Sequence, residues 1–217
     1  MNQRYFRELI VPALFDTLKM LFITMIISGI LGFLVAIILT MTHPNGLKPN
    51  NRIYRVISFF VNTIRSLPFV LLVVILAPLT RLLIGSIVGI YAAIVPMSIG
   101  GIPLIGKILE NEFLSVRKEL IEAARSFGSN NIEIFINVIL RESLPGVING
   151  LTLATISCVG ATAMAGAVGG GGLGAVALNH GFYSYNNFVL YSSVGLIILL
   201  IAIIQKIGNF LYHKFLK

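Results

Sequence analysis

Five long apolar runs are the feature of this sequence that most limits what it can fold into. A helix needs roughly 20 apolar residues to cross a bilayer, and a lipid-facing segment has to satisfy its own backbone hydrogen bonds. Runs of this kind extend over residues 20–41, 57–79, 84–105, 145–168 and 188–207. Asn62, Arg65 and Pro68 interrupt the second run. We therefore predict an all-α integral membrane protein with about five transmembrane helices.

The composition excludes a water-soluble fold. Hydrophobic residues make up 57% of the 217 residues and charged residues only 11%, whereas soluble domains usually carry about a quarter charged residues. The net charge of +8 comes from Lys and Arg spread over the connections between the runs. Anionic lipid and membrane topology select that distribution, so nucleic-acid binding is not expected. The one cysteine, Cys158, lies inside a run and permits no intramolecular disulfide.

The distribution of basic residues predicts the orientation in the membrane. The first run is longer than the apolar part of a signal peptide and no cleavage site follows it, so we expect it to be retained. Eleven Lys and Arg residues lie in the first connection, the third connection and the C-terminal tail, against four on the other side. Because basic connections stay in the cytoplasm, the N-terminus is predicted outside and the C-terminus in the cytoplasm. The glycine-rich connection 169–187 has neither Lys nor Arg, as expected outside.

The third connection, residues 107–142, is long enough to fold by itself. Its segment 118–127 places four residues at helical spacing on one predicted face, namely Leu120, Ala123, Ala124 and Phe127. Gly128 fits the left-handed end of a helix, and Asn130 with Glu133 fits a capping box that starts a second helix. We predict a helix-turn-helix on the cytoplasmic face, within one transmembrane domain over 1–217 whose coupling loop covers about 107–143.

This connection reads E-A-A-R-S-F-G from Glu122 to Gly128, and V-I-L-R-E-S-L-P follows from Val138 to Pro145. It closely resembles the cytoplasmic loop of permease subunits in binding-protein-dependent ABC importers. Members of the family usually carry Leu-Pro shortly after the hydrophobic position that Val138 occupies here. This chain has Leu140-Arg141 at that point, and Leu-Pro follows only at Leu144-Pro145. The resemblance implies that the loop is a coupling helix seated in a cleft of an ATPase subunit. The residues that would form it are Glu122, Ala123, Ala124, Arg125, Phe127 and Gly128.

Three other stretches narrow the family. They are A-M-A-G-A-V-G-G-G-G-L-G at 163–174, S-L-P-F at 66–69 and I-P-L-I-G-K at 102–107. Together they are similar to the methionine-uptake permeases, over nearly the whole chain. The resemblance implies a homodimer in the bacterial inner membrane, with a cytoplasmic ABC ATPase dimer and an extracytoplasmic methionine-binding lipoprotein. It also implies a non-catalytic subunit without cofactors, because ATP and Mg would bind to the ATPase.

Residues for the transport path can be suggested on physical grounds. Two copies of a five-helix subunit can line a passage between them. Met164, between two alanines, is our candidate for a residue that narrows the path, and the hydroxyls of Thr155, Ser157 and Thr162 suit a polar head group. Ordinary helix packing is the alternative for each. Arg65 either meets free helix-end carbonyls, extends to the interface, or faces the path and attracts a carboxylate.

Other functions remain as alternatives with weaker support. Gly169, Gly171 and Gly174 match G-x-G-x-x-G, but no predicted strand precedes them, so a bend in the chain is expected there instead of a nucleotide site. The three histidines lack the spacing of metal ligands. A permease for another small amino acid or metabolite, and a passive channel, stay open. A membrane enzyme would need acid-base residues within the runs, and none is recognised there.

Overall fold

The computed structural model describes residues 2–216, and within this range the chain is helical without any strand. We label ten α-helices in chain order: α1 Val11–Thr42, α2 Asn51–Ser66, α3 Phe69–Ile75, α4 Ala77–Ile84, α5 Ile90–Leu114, α6 Lys118–Ser126, α7 Asn131–Ile134, α8 Leu144–Ala167, α9 Gly172–Val176 and α10 Asn187–Phe215. Short helical stretches extend three of them: Asn2–Tyr5 and Phe6–Ile10 before α1, Phe135–Ile139 and Leu140–Glu142 after α7, and Ala177–Phe182 after α9.

Four of these helices, α1, α5, α8 and α10, are long and apolar enough to cross a membrane. Helices α2 and α3 are apolar and long enough only as a pair, which is bent by 107° and brings the number of spans to five if it is counted as one; we call this pair the broken span. The prediction of an all-α membrane protein with about five spans is therefore confirmed.

The prediction of one continuous second span over 57–79 is wrong. Helix α2 begins earlier, after Asn50, whose side chain accepts hydrogen bonds from the backbone of Arg52 and Ile53, both at 3.2 Å. It ends at Ser66, and the next residue, Leu67, has an extended backbone with ψ 130°. Proline disfavours helical geometry in the residue before it and has no N–H to continue the ladder, so Pro68 produces the bend.

The third run, predicted over 84–105, starts later and extends further. Gly85 ends α4 with φ +82°, and Gly89 precedes α5 with φ +105°, so these two glycines separate the helices. Helix α5 then continues without a break to Leu114. Consequently the first eight residues of the predicted third connection belong to a membrane helix.

Helix α5 packs closely on α1 through glycines. A Cβ added at Gly32 would lie 2.9 Å from the Cβ of Ile105, and one at Gly101 would lie 2.8 Å from the Cβ of Ser28. Because apolar side chains gain little by leaving lipid, membrane helices associate through such close backbone approach. Helix α5 is the most buried of the long helices, and α10 the most exposed.

The connections gather at two opposite ends of the bundle. At one end, Leu47 of the first connection shares a buried cluster with Val116, Ile134 and Ile139 of the third. At the other end, the backbone N–H of Leu173 donates to the Thr17 hydroxyl at 2.9 Å, and that of Gly89 donates to the Gly169 carbonyl at 2.9 Å. This arrangement places the basic connections together and the glycine-rich connection at the far end.

Candidate functional site

The segment that follows α5 folds as the predicted helix-turn-helix. Helix α6 ends at Ser126, Phe127 follows as its cap, and Gly128 takes the left-handed conformation with φ +85°. The Asn130 side chain accepts from the backbone of Ile132 at 3.0 Å and of Glu133 at 2.9 Å, while the Glu133 carboxylate accepts from the Asn130 N–H at 2.8 Å. This capping box starts α7, as the sequence predicted. Local hydrogen bonds thus hold a sharp elbow between two short helices, which together we call the hairpin, residues 118–142.

The predicted single face of α6 is divided in the structure. Ala124 packs with Ile121 against the buried cluster beneath the hairpin. Ala123 is exposed, and Phe127 is 90% exposed. Of the four residues predicted on one helical face, Ala124 lies on the buried side of α6 together with Ile121, whereas Ala123 and Phe127 face outward. The hairpin presents a separate outer surface that ends in an uncovered phenylalanine.

The hairpin is joined to the membrane helices through aromatic side chains. Phe135, which follows α7, contacts Phe113 of α5 edge to face, with ring centroids 5.3 Å apart. Phe113 contacts Phe33 of α1 in the same way at 6.0 Å. All three lie in or against one buried cluster. Since packed interiors transmit displacement instead of absorbing it, a push on the hairpin reaches α5 and α1 directly.

A buried ion pair beneath the hairpin was not recognised in the sequence. The Lys107 ammonium donates to the Glu110 carboxylate at 2.7 Å, and Glu110 is 0% exposed. The other carboxylate oxygen of Glu110 has no hydrogen-bond partner among the described residues. The Lys-x-x-Glu spacing, which places the two side chains on neighbouring turns of a helix, was the available signal. It was missed because both residues were assigned to a connection.

Helix α8 carries a row of exposed residues along one side. Leu153, Ser157, Gly160 and Met164 are exposed and recur at spacings of four, three and four residues, which is one face of a helix. Met164 is 52% exposed. We call these four residues the α8 row. Two of the predicted path residues, Ser157 and Met164, belong to it.

The other two predicted hydroxyl residues lie elsewhere on α8. Thr162 is buried, and its hydroxyl donates to the Val159 carbonyl at 2.7 Å. Thr155 is half-buried, donates to the Leu151 carbonyl at 2.7 Å and faces a shallow pocket beside α1. The structure therefore brings neither of them to the α8 row.

Arg65 lies beside the bend of the broken span. It is exposed and makes no ion pair with any described residue. Arg65 and Ser157 line the same cavity of about 260 Å³ between α1, α5, α8 and the bend. Of the predicted path residues, these two are brought together.

The glycine-rich connection bends the chain, as predicted. Gly169 and Gly171 have φ of +89° and +82°, and a Cβ added at Gly174 would lie 2.5 Å from the Ala163 carbonyl oxygen. No strand precedes these glycines in the described chain, so the geometry of a nucleotide fingerprint is not present there. Among residues 2–216, no three His, Cys, Asp or Glu side chains are grouped as a metal site.

Comparison with known proteins identifies similar chains. Residues 32–215 match the family of binding-protein-dependent transport system inner membrane components. The probable D-methionine transport system permease protein MetI of Vibrio cholerae is 39% identical over 95% of this chain and 92% of its own. The protein of the same name from Pasteurella multocida is 36% identical, over 96% of both chains. The D-methionine transport system permease protein MetI of Escherichia coli K12 is 38% identical over 73% of both.

Solved structures show the same fold. A chain of the MetNI methionine ABC transporter, in an inward-facing conformation, superposes with a TM-score of 0.93 and 36% identity, over 96% of this chain and 97% of its own. A chain from the crystal structure of an amino acid ABC transporter with histidines superposes with a TM-score of 0.77 at 19% identity, over 94% of this chain and 92% of its own. The second likeness is one of fold alone.

Proposed function

The chain belongs to the family of binding-protein-dependent transport system inner membrane components, and on this premise we propose that it forms the membrane passage for methionine in an ATP-driven importer. As a family member it is a multi-pass inner-membrane subunit that carries out transport and not catalysis. The hairpin of residues 118–142 is the observation that carries the proposal. Its outer surface exposes Phe127, Ile132 and Ile136 among charged and polar side chains, while its inner side is packed onto membrane helices.

Methionine is the substrate that the relatives support. The relatives from Vibrio cholerae and Pasteurella multocida, which match nearly the whole chain, are named for D-methionine transport, and the structure with the TM-score of 0.93 is named for methionine. The chain therefore imports D-methionine, L-methionine or both. A permease for another small amino acid or metabolite is the alternative.

Coupling to the ATPase takes place at the outer surface of the hairpin. Glu122, Ala123, Arg125 and Phe127 are exposed there, Ala124 seats α6 on the bundle, and Gly128 forms the elbow. A bare phenylalanine is costly in water and favourable in a protein cleft, so it suits a docking partner. Two cytoplasmic ATPase subunits bind ATP and Mg and move the hairpins of two copies of this chain.

The passage lies between the two copies, where the α8 row of each faces the other. An exposed row with a small residue, a hydroxyl and a methionine suits a path that closes and opens, since a flexible thioether fills gaps of changing shape. Met164 narrows this passage, and Ser157 offers a hydroxyl to the polar head group of the substrate. Thr155 and Thr162 contribute to helix packing instead. An extracytoplasmic methionine-binding lipoprotein delivers the substrate.

The orientation follows from the charge of the two ends of the bundle. Lys48, Arg117, Lys118 and Arg125 lie in the connections of the hairpin end, while the glycine-rich connection has no basic residue. We assign the hairpin end to the cytoplasm and the N-terminus to the outside. Anionic lipid headgroups then surround the basic end.

Reconstitution tests the proposal. The purified chain, with the ATPase that copurifies with it and the binding lipoprotein, should take up labelled methionine into proteoliposomes only when ATP is supplied. Unlabelled methionine should compete, and the chain alone should conduct nothing. Uptake or conductance by the chain alone would instead identify a passive channel, and failure of methionine to compete would reject the substrate.

A further inference from the structure

Helix α2 exposes two chemically different strips along its length. The polar strip recurs at spacings of four, seven and four residues, which is one face of a helix, and consists of Asn51, Arg55, Asn62 and Ser66. The apolar strip recurs at spacings of three and four residues and consists of Ile53, Val56 and Phe60, all exposed. The two strips therefore suit two different surroundings.

The polar strip extends from the hairpin end of the bundle to the middle of the membrane. Just before it, the backbone N–H of Asn50 donates to the carbonyl of Thr42, the last residue of α1, at 3.0 Å. After it, the bend at Leu67 lines a cavity with Ser28 of α1 and Gly101 of α5, both close to the middle of those helices. The strip is roughly 22 Å long at 1.5 Å per residue, whereas each headgroup layer is only about 5–8 Å thick. It therefore continues well past the headgroups.

Polar side chains at this depth require water. Arg55, and Arg65 beside the end of the strip, make no ion pair with any described residue, and α2 contains neither Asp nor Glu. Charged side chains in hydrocarbon are costly, so in membrane proteins they face the interior of the bundle or a water-filled cavity. Asn62 lies about one helical turn before the bend and is exposed. The polar strip therefore faces water, and the apolar strip suits lipid.

Two hollows connect the polar strip with the α8 row. A groove of about 450 Å³ follows the hairpin end of the strip, and its lining on α2 consists of Asn51, Tyr54, Arg55, Ser58, Phe59 and Asn62. At the bend, Arg65 lines the cavity of about 260 Å³ together with Ser157 of the α8 row. Neither lining contains a carboxylate. The exposed surface thus continues from the α8 row to the hairpin end, with arginine as its only charged residue type.

We propose that the polar strip is the water-filled wall of the passage on its cytoplasmic side, and that Arg55 and Arg65 make this wall attract anionic groups. Fixed charges that line a narrow path raise the local concentration of the opposite charge. The passage therefore favours a cargo that carries a carboxylate over an amine of similar size that has none. That the cargo is an amino acid rests on the proposed function.

Thiol labelling tests whether the polar strip faces water. The chain with Cys158→Ala, purified with its ATPase without nucleotide, is placed in lipid nanodiscs, where both membrane faces are open to reagent. Asn62→Cys should react with a membrane-impermeant methanethiosulfonate at least about tenfold faster than Phe60→Cys, because a thiol in apolar surroundings ionises less readily. Phe60→Cys, the matched control on the apolar strip, should react with a lipid-soluble maleimide. Equal rates at the two positions, or protection of position 62, would overturn the wall.

The charge of the wall is measured with two reagents of similar size, a sulfonate and a trimethylammonium methanethiosulfonate. Each rate at position 62 is divided by the rate of the same reagent with mercaptoethanol. The anion should be favoured about tenfold, since a unit charge one helical turn away changes each rate about threefold even in water. Arg65→Gln should lower this preference to about threefold or less. Arg81→Gln is the matched control, because Arg81 is exposed and lies outside both hollows, and should keep the preference.

A salt series keeps the charge of the wall testable if an Arg65 variant fails to assemble. With Asn62→Cys alone, the preference for the anion should shrink as the salt concentration rises, because the Debye length falls from about 10 Å at 0.1 M to about 3 Å at 1 M. No preference at low salt, or the same preference in Arg65→Gln, would overturn the role of the arginines. Labelling needs no substrate and uptake is measured separately, so the wall and the proposed function each stand or fall on their own result.

Discussion

The charged side chain deepest in the protein is Glu110, which is fully buried and held by Lys107 at 2.7 Å. The pair lies on α5 one turn before Phe113, so it sits between the membrane helices and the hairpin. A buried ion pair contributes little net stability, but removing one partner leaves an uncompensated charge. The stability of the fold around α5 therefore depends on the Lys107 ammonium, which compensates the buried charge of Glu110.

We predict that Lys107→Met lowers the free energy of unfolding by about 3 kcal/mol. Thermal unfolding of the purified complex measures the effect, and Lys107→Met combined with Glu110→Leu should recover most of the loss. Lys19→Met is the matched control: Lys19 and Asp16 are 3.8 Å apart and half-exposed, so their pair should contribute almost nothing. Equal stability of Lys107→Met and the unaltered chain would mean that the pair has no structural role.

At the scale of elements, the hairpin and the broken span differ in how far the sequence predicts them. The hairpin depends on local signals, since Gly128 closes one helix and Asn130 with Glu133 opens the next. The bend depends on Pro68, which was visible, but a run of apolar residues has the same hydropathy whether its helix is straight or bent by 107°. Which part of α6 is buried was not predictable either, because that depends on the cluster around Phe113.

The substitution Gly128→Ala, which adds one methyl group, strains the left-handed backbone at the elbow of the hairpin. In Gly128→Ala the new Cβ meets nothing within 4 Å, so the cost is backbone strain alone, about 1–2 kcal/mol for a left-handed alanine. We expect more ATP to be hydrolysed for each methionine taken up, because the elbow no longer transmits the push. Gly195→Ala is the matched control: Gly195 lies within α10, also has nothing within 4 Å, and should keep the ratio of hydrolysis to uptake. An unchanged ratio in both variants would exclude the elbow from coupling.

At the scale of the whole molecule, many apolar side chains of one chain are exposed, and we assign two of these surfaces to protein partners. The α8 row exposes Met164, and the hairpin exposes Phe127. The number of spans and the charge difference between the two ends followed from hydropathy and from counting Lys and Arg. Which face of α8 is uncovered did not, because small residues occur all around that helix.

The α8 row is predicted to face a second copy. In a Cys158→Ala background, which removes the one native thiol, Met164→Cys should form cross-links between copies with a short bifunctional reagent. Ala202→Cys, on the exposed face of α10, should label readily but form no dimer. Dimers from position 202 and none from 164 would place the contact between copies on another face.

The central claim is that force enters the bundle through the outer surface of the hairpin, and a photoreactive label at position 123 tests it most directly. Ala123 is exposed, whereas Ala124 on the next position packs inward. In membranes, Ala123→Cys carrying the label should cross-link to a nucleotide-binding subunit, and the same label on Ala202→Cys should reach lipid. Labelling of lipid alone from position 123, with no nucleotide-hydrolysing subunit attached, would contradict the account.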